Sequence, residues 1–321
     1  MRRWRRAKRA VPHGFSLPLK GSNPALAARR RNRERIILAI RVLDKLADIT
    51  DAYDAVFCDV WGVLHNGVRS WPAAWKALVA EREAGRAVVL ITNAPRPKGP
   101  VTEQLASLGV PDEAYDDVVT SGDVTRALIA QNARMIFHIG PDRDMSLYDG
   151  LDVELVEERE ASAVVCTGLF DDDTETPEDY REMLQGLRAR NLPFICANPD
   201  IVVERGDRLV YCAGALAQEF GFLGGRTLIA GKPHAPIYDE AMERATAVLG
   251  RDFARDRVLA IGDGMTTDVK GAMDYGLDLL FISDGIHARE YGVPGNPDPQ
   301  RLADHLDGFG AQPVATMTKL G

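Results

Sequence analysis

From residue 50 onward the chain repeatedly alternates short apolar runs with stretches of helical periodicity, and this pattern restricts its fold more than any other feature. The runs are Ala55–Val60, Ala87–Thr92, Met135–Ile139, Ala163–Thr167, Pro193–Ala197, Thr227–Ala230, Val258–Gly262 and Leu279–Ile282. They are short, continuous and rich in β-branched residues, as parallel strands buried on both faces must be. Between the last two pairs of runs, Ile237, Ala241, Met242, Ala245, Val248 and Leu249 share one helical face, and Gly250 supplies a stop. Strands alternating with helices predict an α/β fold built on an open parallel sheet. No internal repeat is evident, and Gly292–Pro299 reads as a loop.

At 321 residues, with 45% hydrophobic and 27% charged residues, the chain has enough apolar material for one large or two medium cores. No apolar run reaches the roughly 20 residues of a membrane span. The four cysteines, Cys58, Cys166, Cys196 and Cys212, form no metal-binding spacing, and most sit in strand-like runs. They read as buried thiols of a cytoplasmic protein. Charge is unevenly placed. Residues 1–35 carry twelve Lys or Arg against one acid, Glu34, and the total is −8, so the remainder is −19 by subtraction. So acidic a body argues against a nucleic-acid surface there. The leader has no apolar core of a secretory signal. An RNA- or membrane-touching arm or a targeting segment fits its charge, but twelve like charges disfavour compaction. It reads best as a disordered extension, from a start codon set too far upstream.

Open α/β sheets bind ligands beyond the carboxyl ends of their strands. The residues that close the apolar runs are therefore the ones to inspect. Asp59 closes the first run, Thr92 and Asn93 the second, Lys232 follows Thr227–Ala230, and Asp263 closes Val258–Gly262 with Asp268 five residues on. A carboxylate nucleophile, a hydroxyl, a cation and two further carboxylates at one sheet edge suit phosphoryl transfer. A carboxylate attacking an anionic phosphate needs a divalent cation and a lysine to offset repulsion.

The ordered strings Asp-x-x-Gly-Val-Leu (Asp59 to Leu64), Ile-Thr-Asn (Ile91 to Asn93), Gly-Lys-Pro (Gly231 to Pro233) and Gly-Asp-Gly-x-x-x-Asp (Gly262 to Asp268) resemble the four motifs of the haloacid dehalogenase superfamily. Each is weak alone; four in order, each at a strand end, are specific. The resemblance covers about residues 50 to 290. It implies a Rossmann-like α/β core with a parallel sheet, formed by 50–121 plus 227–290. An inserted α/β cap of class II-A would span 122–226, between a lead-in of 1–49 and a C-terminal segment of 291–321. Thr120–Asp123, Ala197–Asp200 and Ala213–Ala215 resemble that class's cap landmarks, and the relatives include p-nitrophenyl, pyridoxal-phosphate and sugar-phosphate phosphatases. Carried over, the resemblance implies Asp59 as nucleophile and Mg²⁺ ligand, with Thr92 and Asn93 on the phosphate. Lys232 would bridge Asp59 and phosphate. Asp263 and the Trp61 backbone carbonyl would complete the metal site, with Asp268 supporting it. The implied partner is a small phosphorylated metabolite, with no nucleic acid and no membrane; the sequence leaves a homo-oligomer open.

One position departs from the phosphatase pattern. Two residues after the nucleophile most such enzymes carry a second Asp, which protonates the leaving oxygen and later activates water. Here the residue is Trp61, whose indole N–H is no acid of useful strength. The string Asp59–Gly67 resembles that of a class II-A subgroup, which makes Trp61 a subgroup feature. It opens two alternatives: a phospho-ligand-binding regulatory protein with impaired turnover, and an enzyme displacing a non-phosphate leaving group. His65 is a candidate substitute acid/base. His234 and His287 are candidates only for the substrate entrance, and Asp171–Asp173 reads as a solvated helix start.

Overall fold

The computed structural model describes residues 40–132 and 134–321; the Arg-rich segment 1–35 and the extension expected there lie outside the described residues. Ala55–Asp59, Ala87–Thr92 and Val258–Gly262 are buried at every position, as both-face burial requires. They form the middle of a six-stranded parallel sheet. Its order is Ala315–Met317, Asp278–Ile282, Val258–Gly262, Ala55–Asp59, Ala87–Thr92, Asp117–Thr120. Side chains alternate across it: Val56, Cys58, Val88 and Leu90 enter one core, and Phe57, Val89 and Ile91 enter the other. Burying each large aliphatic or aromatic side chain is worth about 1.5–3 kcal/mol. The second core is closed by the helix Ala235–Leu249 through Ile237, Tyr238, Ala241 and Ala245. Gly250 ends that helix in the left-handed region at φ 66°, while Val248, read as part of the buried face, is exposed.

A second sheet lies between the two halves of the first in sequence. It is parallel, in the order Thr227–Ile229, Phe194–Cys196, Ala163–Cys166, Met135–Ile139, Glu154–Leu155. An antiparallel hairpin, Val202–Arg205 with Arg208–Tyr211, projects from it. The hairpin turn rests on the loop after Asp59, where the Gly206 N–H donates to the Asn66 carbonyl at 3.0 Å.

Four readings of the sequence change here. Thr227–Ile229, assigned to the core, pairs with Phe194–Cys196 in the second sheet, since an apolar run does not encode which sheet it joins. Residues 291–321 are not a separate segment: the helix Pro299–Gly308 packs on the second core, and Ala315–Met317 is an edge strand of the first sheet. That strand also holds the lead-in residues, with Leu43 N–H donating to the Thr316 carbonyl at 2.9 Å and Leu46 buried. Asp117–Thr120 escaped notice because an acid interrupts so short a run, and Gly292–Pro299 contains a small hairpin. All four cysteines are free and buried, and among the described residues no helix is long and apolar enough to cross a membrane.

Candidate active site

Asp59 ends its strand where the chain path reverses. The next strand in sequence, Ala87–Thr92, lies on one side of it and Val258–Gly262 on the other. That crevice is the usual ligand position of an open parallel sheet. The geometry brings Asp59, Asp263, Asp268, Lys232, Thr92 and Asn93 to the walls of one cavity of ≈ 240 Å³, with Trp61 and His287 beside them. Val202, Val203 and Glu204 of the hairpin roof it.

Lys232 is 3% exposed, and an unpaired ammonium so placed would be very costly. Its Nζ bridges Asp59 Oδ1 and Asp268 Oδ1, the second at 2.7 Å. Burial alone would lower its pKa; Asp268, Asp59 and Asp200 together reverse that and hold it well above the ordinary value. The Lys232 backbone is fixed by Asn93, whose Oδ1 accepts the Lys232 N–H at 2.8 Å and whose Nδ2 donates to the Lys232 carbonyl at 3.3 Å. Nδ2 also donates to Asp200 Oδ1 at 2.8 Å. Thr92 Oγ1 accepts from the Ala94 N–H at 3.2 Å, which leaves its own hydroxyl proton to give.

Asp268 lies in a single π turn, Met265–Val269, ahead of the helix Lys270–Tyr275. Its Oδ2 accepts from the Gly264 N–H at 3.0 Å, so both of its oxygens are engaged. Asp263 Oδ2 accepts from the Ile286 N–H at 2.7 Å. The backbone crowds this carboxylate: a Cβ at Gly62, which has φ +83°, would sit 2.3 Å from Asp263 Oδ2, and one at Gly285 would sit 1.9 Å from it. Any other residue at either position would displace Asp263.

Carboxylate oxygens of Asp59, Asp263 and Asp268 lie within 4.8 Å of one another. Burial, then the Asp268 charge, pushes Asp59 well above the usual carboxylate range, and the same two causes push Asp263 up to about 7. Three acids against one lysine leave a buried negative excess, and an array of hard oxygen donors is what a small divalent cation requires.

His65 does not join this group. It is 1% exposed, lines neither this cavity nor its neighbour, and its Nδ1 accepts the Gly67 N–H at 3.0 Å. Burial lowers its pKa to about 4, so the ring is neutral and serves the loop turn. It is better placed to support Trp61, whose ring meets it edge-on at 4.8 Å between centroids. His234 occupies the position before the helix Ala235–Leu249 without a capping side-chain bond, and only His287 of the two entrance candidates lines the cavity. Asp171–Asp173 is no helix start, since the next helical turn begins at Pro177. Asp172 is tied to Arg143 and Arg205. Sequence reading missed Asp200 as a wall residue, though it stands in the Asn198-Pro199-Asp200 string, and missed Arg96, Arg143 and Arg205 entirely. Isolated arginines carry no periodic or spacing signal.

Known proteins resemble this chain in sequence and in fold. Residues 56–154 match a family model described as haloacid dehalogenase-like hydrolase, and 229–309 match one described as HAD-hydrolase-like. A haloacid dehalogenase-like hydrolase from Brucella suis 1330 is 58% identical, covering 87% of this chain and 100% of its own, with a TM-score of 0.80. The 5'-nucleotidase YutF of Bacillus subtilis is 25% identical over 79% of this chain and 96% of its own length. Acid sugar phosphatase of Staphylococcus aureus is 25% identical over 74% and 89%. NagD from E. coli K-12, at 22% identity and a TM-score of 0.58 over 83% and 96%, shares the fold. A relative of 58% identity matched along its whole length, joined to two family models, settles the affiliation: the chain belongs to the haloacid dehalogenase-like hydrolases.

Proposed function

We propose that this hydrolase is a Mg²⁺-dependent phosphatase of small phosphorylated metabolites, acting in the cytoplasm through an aspartyl-phosphate on Asp59. The observation that carries the proposal is the buried Lys232 bridge between Asp59 and Asp268, with Asp263 alongside, at the reversal point of the sheet. The names of the nucleotidase and sugar phosphatase relatives support the substrate class. A cavity of ≈ 240 Å³ under a hairpin roof suits a small molecule. In this reading the inserted sheet and hairpin form a cap over a catalytic core.

Asp59, Asp263 and the Trp61 carbonyl would hold Mg²⁺, with Asp268 behind them; the ion would keep Asp59 ionised and offset the charge of an incoming phosphate dianion. An Asp59 oxygen attacks phosphorus as the P–O bond to the leaving group breaks. Lys232 and the Thr92 hydroxyl hold the non-bridging oxygens, and Asn93 fixes the Lys232 backbone on which that alignment depends. Water then cleaves the aspartyl-phosphate, restoring Asp59 and releasing phosphate. The alcohol oxygen must gain a proton on the way, and Trp61 has none to give. Poor leaving groups should therefore react slowly, since a positioned acid is worth about 10²–10⁴-fold.

The test is a panel of p-nitrophenyl phosphate, sugar phosphates and nucleoside monophosphates, assayed with Mg²⁺ or EDTA. Hydrolysis that EDTA abolishes and Mg²⁺ restores is expected. Full activity in EDTA would remove the metal from the mechanism, and an inert protein across the panel would overturn the phosphatase reading.

A further inference from the structure

Next to the Asp59 cavity lies a larger one, of ≈ 320 Å³, with a different chemistry. The two share Trp61, Asp200 and Val203 as wall residues, so they adjoin along these side chains. Three arginines from three separate parts of the chain meet there. Arg96 comes from the loop after Ala87–Thr92, Arg143 from the turn after Met135–Ile139, and Arg205 from the end of the first hairpin strand.

One carboxylate, Asp172, meets these cations at hydrogen-bond distance, while Asp144 and Asp173 stand 3.7 Å from Arg96 and Arg205. Asp172 alone serves two of them: it accepts from Arg205 Nη1 at 3.2 Å and Nη2 at 2.7 Å, and it also pairs with Arg143. Arg96 donates to Gln104 at 2.9 Å, while its nearest carboxylate, Asp144, stands at 3.7 Å, beyond a good hydrogen bond. Asp200, on the shared wall, is already engaged with Asn93 and faces Lys232. Burial lowers the Arg96 pKa, Asp144 opposes that, and Arg143 and Arg205 lower it further. Mutual repulsion among clustered guanidiniums is relieved by an anion, and a planar fork matches a carboxylate or phosphate oxygen pair. A purely structural role would place each guanidinium on its own carboxylate at contact distance. Only Arg205 has that geometry with two nitrogens, and it shares the acid.

We propose that Arg96, Arg143 and Arg205 form a subsite for a second anionic group. The preferred substrates would then be phosphate monoesters whose leaving portion carries a carboxylate or another phosphate. The proposal rests on the phosphatase reading above. It also gives Trp61 a task, as the apolar floor between the reacting phosphate and the second anion. Binding energy drawn from this remote group can orient the substrate, which matters most where no positioned acid assists.

The experiment compares 3-phosphoglycerate with glycerol 3-phosphate, which differ mainly in the second anion, and uses p-nitrophenyl phosphate on the unaltered protein as the reference. The kcat/KM ratio of phosphoglycerate to glycerol phosphate should exceed about ten, and Arg96→Gln should lower that ratio about tenfold or more, as loss of a charge-assisted hydrogen bond does. Arg143→Gln, on a side chain half exposed to solvent, should lower it in the same direction and guards against a misfolded Arg96 variant. Arg96→Lys should recover part of the ratio. A bisphosphate favoured over phosphoglycerate would assign the second group as phosphate within the same proposal. A ratio near one in the parent protein, or a ratio unchanged in both glutamine variants while p-nitrophenyl phosphate is still hydrolysed, overturns the subsite and leaves the phosphatase reading standing. Failure to hydrolyse any of the three esters takes both down.

Discussion

Two adjoining cavities that share Trp61, Asp200 and Val203 as wall residues are built on different electrostatic plans. Around Asp59 three carboxylates surround one lysine, all nearly sealed from solvent, with Asp59 and Asp263 at strand ends of the first sheet. Around Arg205 three guanidiniums share the walls with Asp144, Asp172 and Asp200, on loops and the hairpin, and only Asp172 meets them at hydrogen-bond distance. Negative excess invites a metal cation, and guanidiniums that share one close carboxylate invite an anion. The first plan is set on rigid strand ends, where sub-ångström placement of reacting atoms is feasible. The second is set on segments that can vary without disturbing a core. Chemistry and selection are thereby assigned to different parts of one chain.

The most severe way to break this division is Asp59→Asn. Turnover on every ester should fall by at least about 10⁴-fold, as when a nucleophile is removed elsewhere, and trapping by beryllium fluoride should be lost. Undiminished hydrolysis by the purified variant would mean the first cavity is not the reacting one.

Trp61 stands between the two cavities and supplies the next test. With no Asp to activate water, breakdown of the aspartyl-phosphate should limit turnover of good leaving groups. Rapid mixing with p-nitrophenyl phosphate should then give a burst, while alkyl phosphates lacking a second anion react about 10²–10⁴-fold more slowly. Fast, burst-free hydrolysis of simple alkyl phosphates would instead require an acid/base among the wall residues. His287 and Asp200 would then be the groups to replace, because His65 is turned into its own loop.

Within the anionic cavity, Asp263 and Asp268 should differ. Asp268 spends both oxygens on Lys232 and the Gly264 N–H, whereas the hydrogen bond from Ile286 engages only Oδ2 of Asp263. Asp263→Asn should weaken Mg²⁺ binding by about 10- to 100-fold and Asp268→Asn by less. Equal losses in calorimetric titration would contradict the assignment.

The smallest effect concerns pH. Burial, then Asp268, raises Asp263 to about 7, so the folded protein holds that proton more tightly than the unfolded chain does. The resulting stability is complete below the ordinary carboxylate pKa, near 4, and is lost as pH rises through about 7. Without Mg²⁺ the melting temperature should therefore fall between pH 5 and pH 8. Mg²⁺ takes the place of the proton, so its stabilisation, about 2.7 kcal/mol at a hundredfold excess over Kd, should be larger at pH 8. A thermal-shift series in which Mg²⁺ stabilises more at pH 5 would show that the carboxylates are not its ligands.

Much of this was legible without coordinates. The strands at Ala55, Ala87, Met135 and Val258 follow from apolar continuity, because burial on both faces forbids polar interruption. The anionic cavity follows from what closes those strands, since parallel strands carry their last residues to a common edge. Short edge strands were not legible: Asp117–Thr120 and Ala315–Met317 have little apolar run to show, and their pairing comes from neighbours distant in sequence. His65 misled for a related reason. Proximity to Asp59 in sequence says nothing about which way a ring turns after a tight loop.

The sequence by itself determined the α/β alternation and the strand-end residues Asp59, Thr92, Asn93, Lys232 and Asp263, because periodicity and order along the chain encode both. Tertiary structure alone decided that Thr227–Ile229 joins the second sheet, that the C-terminal strand completes the first, and that Arg96, Arg143 and Arg205 converge on one cavity. Those outcomes depend on contacts between residues tens to hundreds of positions apart. No local pattern records them, because their energy exists only once the chain has closed on itself.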